Sequence, residues 1–429
     1  MFLSIDNFKS IEHVAGLDIS NLSVFAGVNS SGKSSVIQAL LLLKQTLNSS
    51  TSEILNLNGP YVYANSLLDL IHNKKGGFIR FSLTLASHEL AGTEIAHHTE
   101  DLGKSMDCML LSVSFKVKGD GAFVVSEFRL SLSLTDGDCI DRILSWRPNK
   151  KVYDMVGSDG ALNGLEVDRY SFVNFFPVFV KHGGKSLDLS IMKAARETLV
   201  SVFGKISYIA PIRVAPVLAR TYQTDVESRF VLPDGENTRF ILDRIGQDDR
   251  KALTVVKEWI CDRFHLAHEI HVVKDPGKMY RVVVTTNEGI KVDLMHMGFG
   301  LSQILPIVTQ GAISKAGALM IVEDPEVHMH PSIQASMADF FIYLCLEKNV
   351  NVLVETHSDH FITRLRRRVA EKVISPEKVH LIFVEHEGGA SEYQTISMSE
   401  TGRLEGMMPK GFMDSLDNDF KAIILANRK

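Results

Sequence analysis

The chain is poor in the features that mark a secreted, membrane or overtly nucleic-acid-binding protein. Four of its 429 residues are cysteines, Cys108, Cys139, Cys261 and Cys345. None forms a C-x-x-C pair, which argues against a zinc ribbon or a dithiol redox motif. Scattered single cysteines fit a reducing cytosol, each expected as a small buried apolar residue. No apolar run approaches the roughly 20 residues that cross a bilayer, so no integral membrane protein is expected. The N-terminus, MFLSIDNFKS, lacks a charged leader and a long apolar stretch, and it alternates as a strand does rather than as a signal peptide. A formal net charge of −5 gives no overall basic field for nucleic acid. No heptad run extends over several turns and no repeat is visible, which leaves out a long coiled coil and a solenoid. What is present, 45% hydrophobic and 23% charged residues, is the composition of a globular chain with a sizeable core. The length suits one large domain with an insertion, or two domains.

The patterning changes along the chain. Phe2, Ile5 and Phe8 alternate with polar positions, and an apolar segment over 17–26 ends in Val24-Phe25-Ala26. Both read as strands leading into a glycine loop at 27–34. VIQALLLLKQTL then has helical length and no breaker, which completes a strand–loop–helix unit. From 76 to 147, FIRFSLTL, LLSVSFKVKG and EFRLSLSL alternate with period two. Turn signals at Gly76-Gly77, Gly119-Asp120-Gly121 and Asp136-Gly137-Asp138 separate them, as in an antiparallel β region. Residues 150–186 are rich in Gly and Asp and read as surface loop. Helices are expected near 188–204 and 237–266, and a hairpin turning at Asn287-Glu288-Gly289. From 298 the pattern is α/β: helix, strand ALMIVE, helix 331–347, strand NVLVE, helix 359–371 and a final hairpin. Pro331 suits a first helical turn.

Four stretches carry chemistry. GVNSSGKSS at 27–35 fits G-x-x-x-x-G-K-[ST] through Gly27, Gly32, Lys33 and Ser34. Glycines let backbone N–H groups curl around a phosphate, and the following helix adds the positive end of its dipole. Asn29, Ser30, Ser31 and Ser35 complete the cradle, with Lys33 reaching the β- and γ-phosphates and Ser34 on Mg²⁺. GALMIVEDPE at 317–326 is an apolar strand ending in Glu323-Asp324, which sets one acid beside Mg²⁺ and a second beside an attacking water. VLVETHSD at 352–359 puts His357 just past another apolar strand, at the edge where parallel sheets present their sites. MGFGLSQILP at 297–306 places Gly298, Gly300, Ser302 and Gln303 at a helix start whose N–H groups suit a second phosphate. Pro306 falls early in that helix.

In this order the four motifs resemble the ABC-type ATPases. More narrowly, NFKSIE, NSSGKSSVIQALLLLKQ, YIAPIR at 208–213, GFGLSQILPI, VEDPEVHMHP and ETHSDHFITRLRR resemble the bacterial ATPases grouped with the overcoming-lysogenization-defect family. The tail ETGRLEGMMPKGFMD is similar to a C-terminal segment of many of them. The resemblance covers both ends of the chain well and its middle thinly.

The resemblance implies an α/β P-loop ATPase head with an antiparallel β lobe and a helical/β insertion between the phosphate loop and the signature. The corresponding segments are 1–75 and 296–372 for the ATPase core, 76–295 for the insertion, and 373–429 for a C-terminal hairpin and tail. It implies a cytoplasmic head-to-tail homodimer, or a higher oligomer, holding two ATP molecules. Lys33 and Ser34 of one copy would hold ATP and Mg²⁺, Glu323 would share the Mg²⁺, and His357 would sense the γ-phosphate. Gly298, Gly300, Ser302 and Gln303 of the other copy would close over it. Two departures stand out. The signature reads Gly298-Phe299-Gly300-Leu301-Ser302 in place of Leu-Ser-Gly, with Ser302 taken as the signature serine. The usual catalytic glutamate is Asp324, one methylene shorter, so either Asp324 or Glu326 is the base and hydrolysis is expected to be slow. No counterpart of the relatives' nuclease module is expected in the stretch after the His357 helix. A separate nuclease or toxin partner in antiviral defence, with DNA nearby, is therefore expected. The alternative is an SMC-like ATPase in DNA repair or chromosome maintenance.

Three further features have plainer readings. His328 and His330 form an H-x-H that reads as a dimer-contact loop in preference to a metal site, which needs more converging ligands. Arg364, Arg366, Arg367 and Arg368 read as a solvated helix face near a C-terminal end, where cations are favourable. Gln38 and Gln223 are candidates for the glutamine loop of such ATPases.

Overall fold

The structure is a computed structural model. It describes residues 1–406 except 52, 75–76, 102, 119–121, 159–164, 168, 184, 215–219, 222–228 and 277–278. The turn signals at Gly76 and Gly119-Asp120-Gly121, the candidate Gln223 and the tail from Met407 lie outside the described residues. The chain folds into two compact units. One comprises Met1–Ile19, Ser30–Lys205 and Glu385–Tyr393; the other comprises Ser20–Asn29, Ile206–Val384 and the chain from Gln394.

In chain order the elements open with β1 (Phe2–Phe8), β2 (Ile11–Asp18), β3 (Leu22–Gly27) and α1 (Lys33–Leu47). β4 (Phe78–Ala86), α2 (Ser87–Leu90), α3 (Glu94–Asp101), β5 (Met106–Val117), β6 (Phe123–Leu134) and β7 (Cys139–Arg147) follow. Then come β8 (Val152–Gly157), β9 (Leu165–Val167), β10 (Arg169–Val173), β11 (Phe176–His182), β12 (Lys185–Ser186) and α4 (Ser190–Gly204).

In the first unit an eight-stranded antiparallel sheet runs β2-β1-β4-β5-β6-β7-β8-β9. The period-two alternation of β4 becomes strict alternation of buried and half-buried side chains. α1 contains no Gly or Pro, and its apolar run Ala39–Leu43 is buried together with the polar Lys44, Gln45 and Thr46.

The reading of 150–186 as surface loop is corrected here. Five short strands occupy it, and Tyr153, Phe175 and Phe176 are fully buried. Tyr153 packs edge-on against Tyr170, and Phe175 against Phe115. The strands are brief and β10–β11 shifts register at Ser171/Phe172, so no clean period survives in the sequence. The cysteine expectation also needs correction. Cys139 is exposed where β7 leaves its turn, and Cys108, Cys261 and Cys345 are only half-buried.

The second half continues with β13 (Ile206–Ile209), β14 (Arg220–Thr221), α5 (Thr238–Asp248), α6 (Arg250–Lys257), β15 (Glu269–Asp275), β16 (Met279–Thr285) and β17 (Lys291–Asp293). α7 (Phe299–Ile313), β18 (Leu319–Glu323), α8 (Pro331–Glu347), β19 (Asn351–Thr356), α9 (Asp359–Ala370), β20 (Val379–Glu387), β21 (Ala390–Met398) and β22 (Leu404–Glu405) complete it. The single helix expected over 237–266 is broken at Asp249, whose side chain caps α6 by accepting from Ala252 N, and it ends in a π-helical turn over Glu258–Arg263.

The second unit is organised by a seven-stranded sheet in the order β13-β18-β19-β3-β20-β21-β22, its first five strands parallel. β18 is buried at every position and β3 and β19 at nearly every one, as strands covered on both faces must be. Val24, Met320, Val322, Val352 and Val354 share one core with Ile304, Phe340 and Phe341. Arg364 and Arg368 of α9 both pair with Asp339 of α8, so those two arginines tie helices together where a solvated face was expected. The α/β core, the antiparallel β lobe and the insertion between glycine loop and α7 are the architecture expected from the sequence. Among the described residues no helix is long and apolar enough to cross a membrane.

Candidate active site

The parallel sheet decides where the chemistry gathers in the second unit. β18, β19 and β3 are neighbours with Glu323 opposite Glu355, and Thr356 opposite Ala26. Their carboxyl ends therefore deliver Glu323-Asp324, Thr356-His357 and Gly27 to one edge, the edge at which α/β sheets bind ligands.

Glu323 is buried, and its Oε1 accepts the Tyr208 hydroxyl at 2.8 Å. Burial pushes its carboxyl up to about 7, and the Asp324 charge adds to the rise against the opposing effect of the Tyr208 hydrogen bond. Burial and the neighbouring Glu323 carboxylate push the Tyr208 phenol up in turn. Asp324 takes φ 44°, in the left-handed region that aspartate tolerates better than most residues. Its N–H donates to Glu355 O at 2.9 Å. The Nη2 of buried Arg213 donates to the carbonyls of Glu323 at 2.8 Å and Asp324 at 3.0 Å, so one guanidinium nitrogen fixes both peptides of the turn. Arg213 ends the YIAPIR stretch at 208–213, to which no sequence spacing gave a role.

Glu326 Oε1 accepts the His357 N–H, and burial holds this carboxyl above its ordinary range. His357 Nε2 lies 3.9 Å from Asp324 Oδ1. Ser358 caps α9 by accepting from Phe361 N and donates to Gln334 Oε1 at 2.7 Å, linking the His357 turn to the start of α8. Among the described residues Asp324 Oδ1, Glu326 Oε2 and Arg213 Nε and Nη1 are buried without a hydrogen-bond partner. Buried polar atoms are seldom left so, and two carboxylate oxygens beside two guanidinium N–H groups suit water or a polar ligand better than an apolar one; among the described residues no cluster of three or more His, Cys, Asp or Glu is assembled for a metal.

The signature stretch begins α7. Gly298 is its exposed N-cap and Phe299 is exposed, whereas Ser302 and Gln303 are buried. The Ser302 hydroxyl donates back to Phe299 O at 2.7 Å. A Cβ on Gly298 would meet nothing within 4 Å, and one on Gly300 only His328 O at 3.5 Å. Neither glycine is demanded by packing inside the chain. His330 caps α8, accepting from Ser332 N, and the His328 ring lies 5.7 Å from that of Phe299.

The remainder of the glycine loop belongs to the first unit. Ser30 and Gly32 take φ 61° and 102°, a curled backbone of the kind that turns successive N–H groups inward. Gly32 is the N-cap of α1 and supplies no side-chain cap to its first turn, where the Ser35 N–H donates to Gly32 O at 3.0 Å. Lys33 is buried, and Ser31 Oγ is buried with no hydrogen-bond partner among the described residues. Two residues that no motif flagged close on this loop. Ser391 Oγ donates to Ser31 O at 2.6 Å, and Tyr393 OH donates to Gly32 O at 2.8 Å. Ser10 Oγ shares a 2.7 Å hydrogen bond with Ser35 Oγ, and Lys9 Nζ donates to Gln38 Oε1 at 2.6 Å.

The family model described as AAA ATPase domain matches residues 1–100 and 241–362, more than half of the chain. No curated protein matches in sequence. Solved structures with a similar course of the chain include an Smc head bound to the C-winged helix domain of ScpA, at 15% identity over 92% of this chain and 97% of that one, with a TM-score of 0.46. The Smc head with an extended coiled coil bound to the C-terminal domain of ScpA from Pyrococcus furiosus gives 13% identity, coverage of 100% and 99%, and a TM-score of 0.44. The SMC head domain from Thermotoga maritima gives 10%, coverage of 92% and 98%, and a TM-score of 0.40. The two stretches matched by the family model hold the glycine loop in one and the signature, acidic strand and His357 in the other, and the chain belongs to the AAA ATPase domain family.

Proposed function

We propose that the chain is an ABC-type ATPase working as an ATP-driven conformational switch between two copies of itself. The observation that carries this reading is the shared strand edge that gathers Gly27, Glu323-Asp324 and His357, with buried oxygens on Asp324 and Glu326 that have no hydrogen-bond partner among the described residues. In this reading the N–H groups of 30–35 and Lys33 hold the phosphates of ATP. Ser34 and Glu323 would hold Mg²⁺, which supplies charge neutralisation on the phosphates when bound. Asp324, aimed by Arg213, orients the water that attacks the γ-phosphate, with Glu326 as the competing base. His357 stands beside Asp324 to register the γ-phosphate. The helix start at Gly298 and Gly300 of a second copy supplies N–H groups from outside, which explains glycines that the chain's own packing does not require.

The family assignment is common to two readings of the switch's output, and both belong to the proposal. Control of a separate nuclease or toxin in antiviral defence rests on the overcoming-lysogenization-defect motifs of the sequence. An SMC-like role in DNA repair or chromosome maintenance is the alternative. A nuclease or toxin recovered with the ATP-bound protein from its native host selects the first. DNA-stimulated turnover with no such partner selects the second.

ATP binding and turnover in the wild type and in Lys33→Ala test the core of the reading. Wild type is expected to bind and slowly hydrolyse ATP, and Lys33→Ala to lose binding by at least about a hundredfold, as for removal of a buried charge-assisted contact. A wild type that does not bind ATP would contradict it.

A further inference from the structure

The hydroxyls of Ser391 and Tyr393 end on two consecutive carbonyls of the glycine loop, Ser31 and Gly32. We propose that Ser391 and Tyr393 are positioning residues for nucleotide binding, which anchor those carbonyls and so turn the N–H groups of Gly32 and Lys33 toward the phosphates. The inference rests on the ATPase reading above and extends it to residues outside every motif of the family.

A trans peptide is planar, with its C=O and the next N–H pointing opposite ways. Anchoring Ser31 O fixes the direction of the Gly32 N–H, and anchoring Gly32 O does the same for Lys33. These are central donors of a phosphate loop. A glycine-rich backbone left to itself samples flipped peptides at little cost, and a ligand must then supply the ordering free energy. Here the ordering is built in. Ser391 is buried, and its own N–H donates to Ser10 O at 2.7 Å. Ser10 in turn holds Ser35 in the first turn of α1. Gly32 is fixed from the same side, because a Cβ there would collide with the hydroxyls of both Ser391 and Ser10. The turn Glu385–Tyr393 thus enters the first unit as a backing plate for the loop.

The test uses the full chain with Ser391→Ala, Tyr393→Phe and the pair, and reads the Kd for ATP with Mg²⁺, kcat at saturating ATP and Tm. Each single variant is expected to raise Kd about tenfold, the loss of one net hydrogen bond, and the pair more. kcat at saturation and Tm should stay near wild type, which a merely structural role would not allow. Tyr393→Phe removes one oxygen from a half-buried ring, so it decides the matter alone if Ser391→Ala does not fold. An unchanged Kd in folded variants overturns the inference while wild-type ATP binding stands. A Kd that rises only in step with a falling Tm overturns it as well. A wild type that binds no ATP overturns the ATPase reading and this inference with it.

Discussion

At the scale of single residues, the acidic turn after β18 sets protonation against catalysis. Among the described residues Asp324 and Glu326 each keep one buried oxygen without a hydrogen-bond partner, but Glu326 already spends its other oxygen on the His357 N–H. In the proposed mechanism this leaves Asp324 as the base. Asp324→Asn is expected to lower turnover by about 10²–10⁴-fold with ATP affinity retained, and Glu326→Gln by much less. The reverse ranking in steady-state assays would give the role to Glu326. Glu323 offers a separate test in the metal-free, nucleotide-free protein. Its carboxyl is raised to about 7 from 4.5 by burial. A raised pKa means stability that is full below about 4.5 and lost as pH rises through 7. Glu323→Gln, which keeps the acceptor for Tyr208, should melt like wild type at pH 5. At pH 8.5 it should be more stable by roughly 2–3 kcal/mol. Equal stability at pH 8.5 would show that Glu323 ionises without penalty.

At the scale of elements, the segment after β13 supports the turn after β18. β13 and β18 run parallel with Ile209 opposite Val322, so the chain leaving β13 brings Arg213 under the carbonyls of Glu323 and Asp324. Burial lowers the Arg213 guanidinium to about 10, and the neighbouring carboxylates act against that fall. Arg213→Met should free the left-handed Asp324 and lower kcat by about tenfold while leaving ATP affinity nearly unchanged. Parallel losses in both would make Arg213 a binding residue. The strand-end placement of the glycine loop, the Glu323-Asp324 turn and His357 was legible in the sequence because each depends on local spacing. Arg213, Ser391 and Tyr393 act across sequence separations of 110 to 361 residues, and no periodicity reports such contacts. The strands between 150 and 186 were hidden for another reason. They are short and bulged, and they are held by aromatic packing in place of alternation.

At the scale of the molecule, the proposed switch requires a second copy to complete the site. The helix start at Gly298 is exposed, and Ser302 behind it is buried with its hydroxyl turned back to Phe299. Among the described residues no neighbour crowds a Cβ at 298 or 300, and the proposed switch assigns both glycines to a phosphate brought by a second copy. In the proposed switch ATP links two protomers, and hydrolysis releases them. The most direct test is the solution mass of Asp324→Asn with and without ATP and Mg²⁺, beside Lys33→Ala as the control that cannot bind. The account predicts the 47.7 kDa mass of one chain without nucleotide, twice that mass with ATP, and no change for Lys33→Ala. An Asp324→Asn protein that binds ATP yet keeps the same mass would contradict the switch.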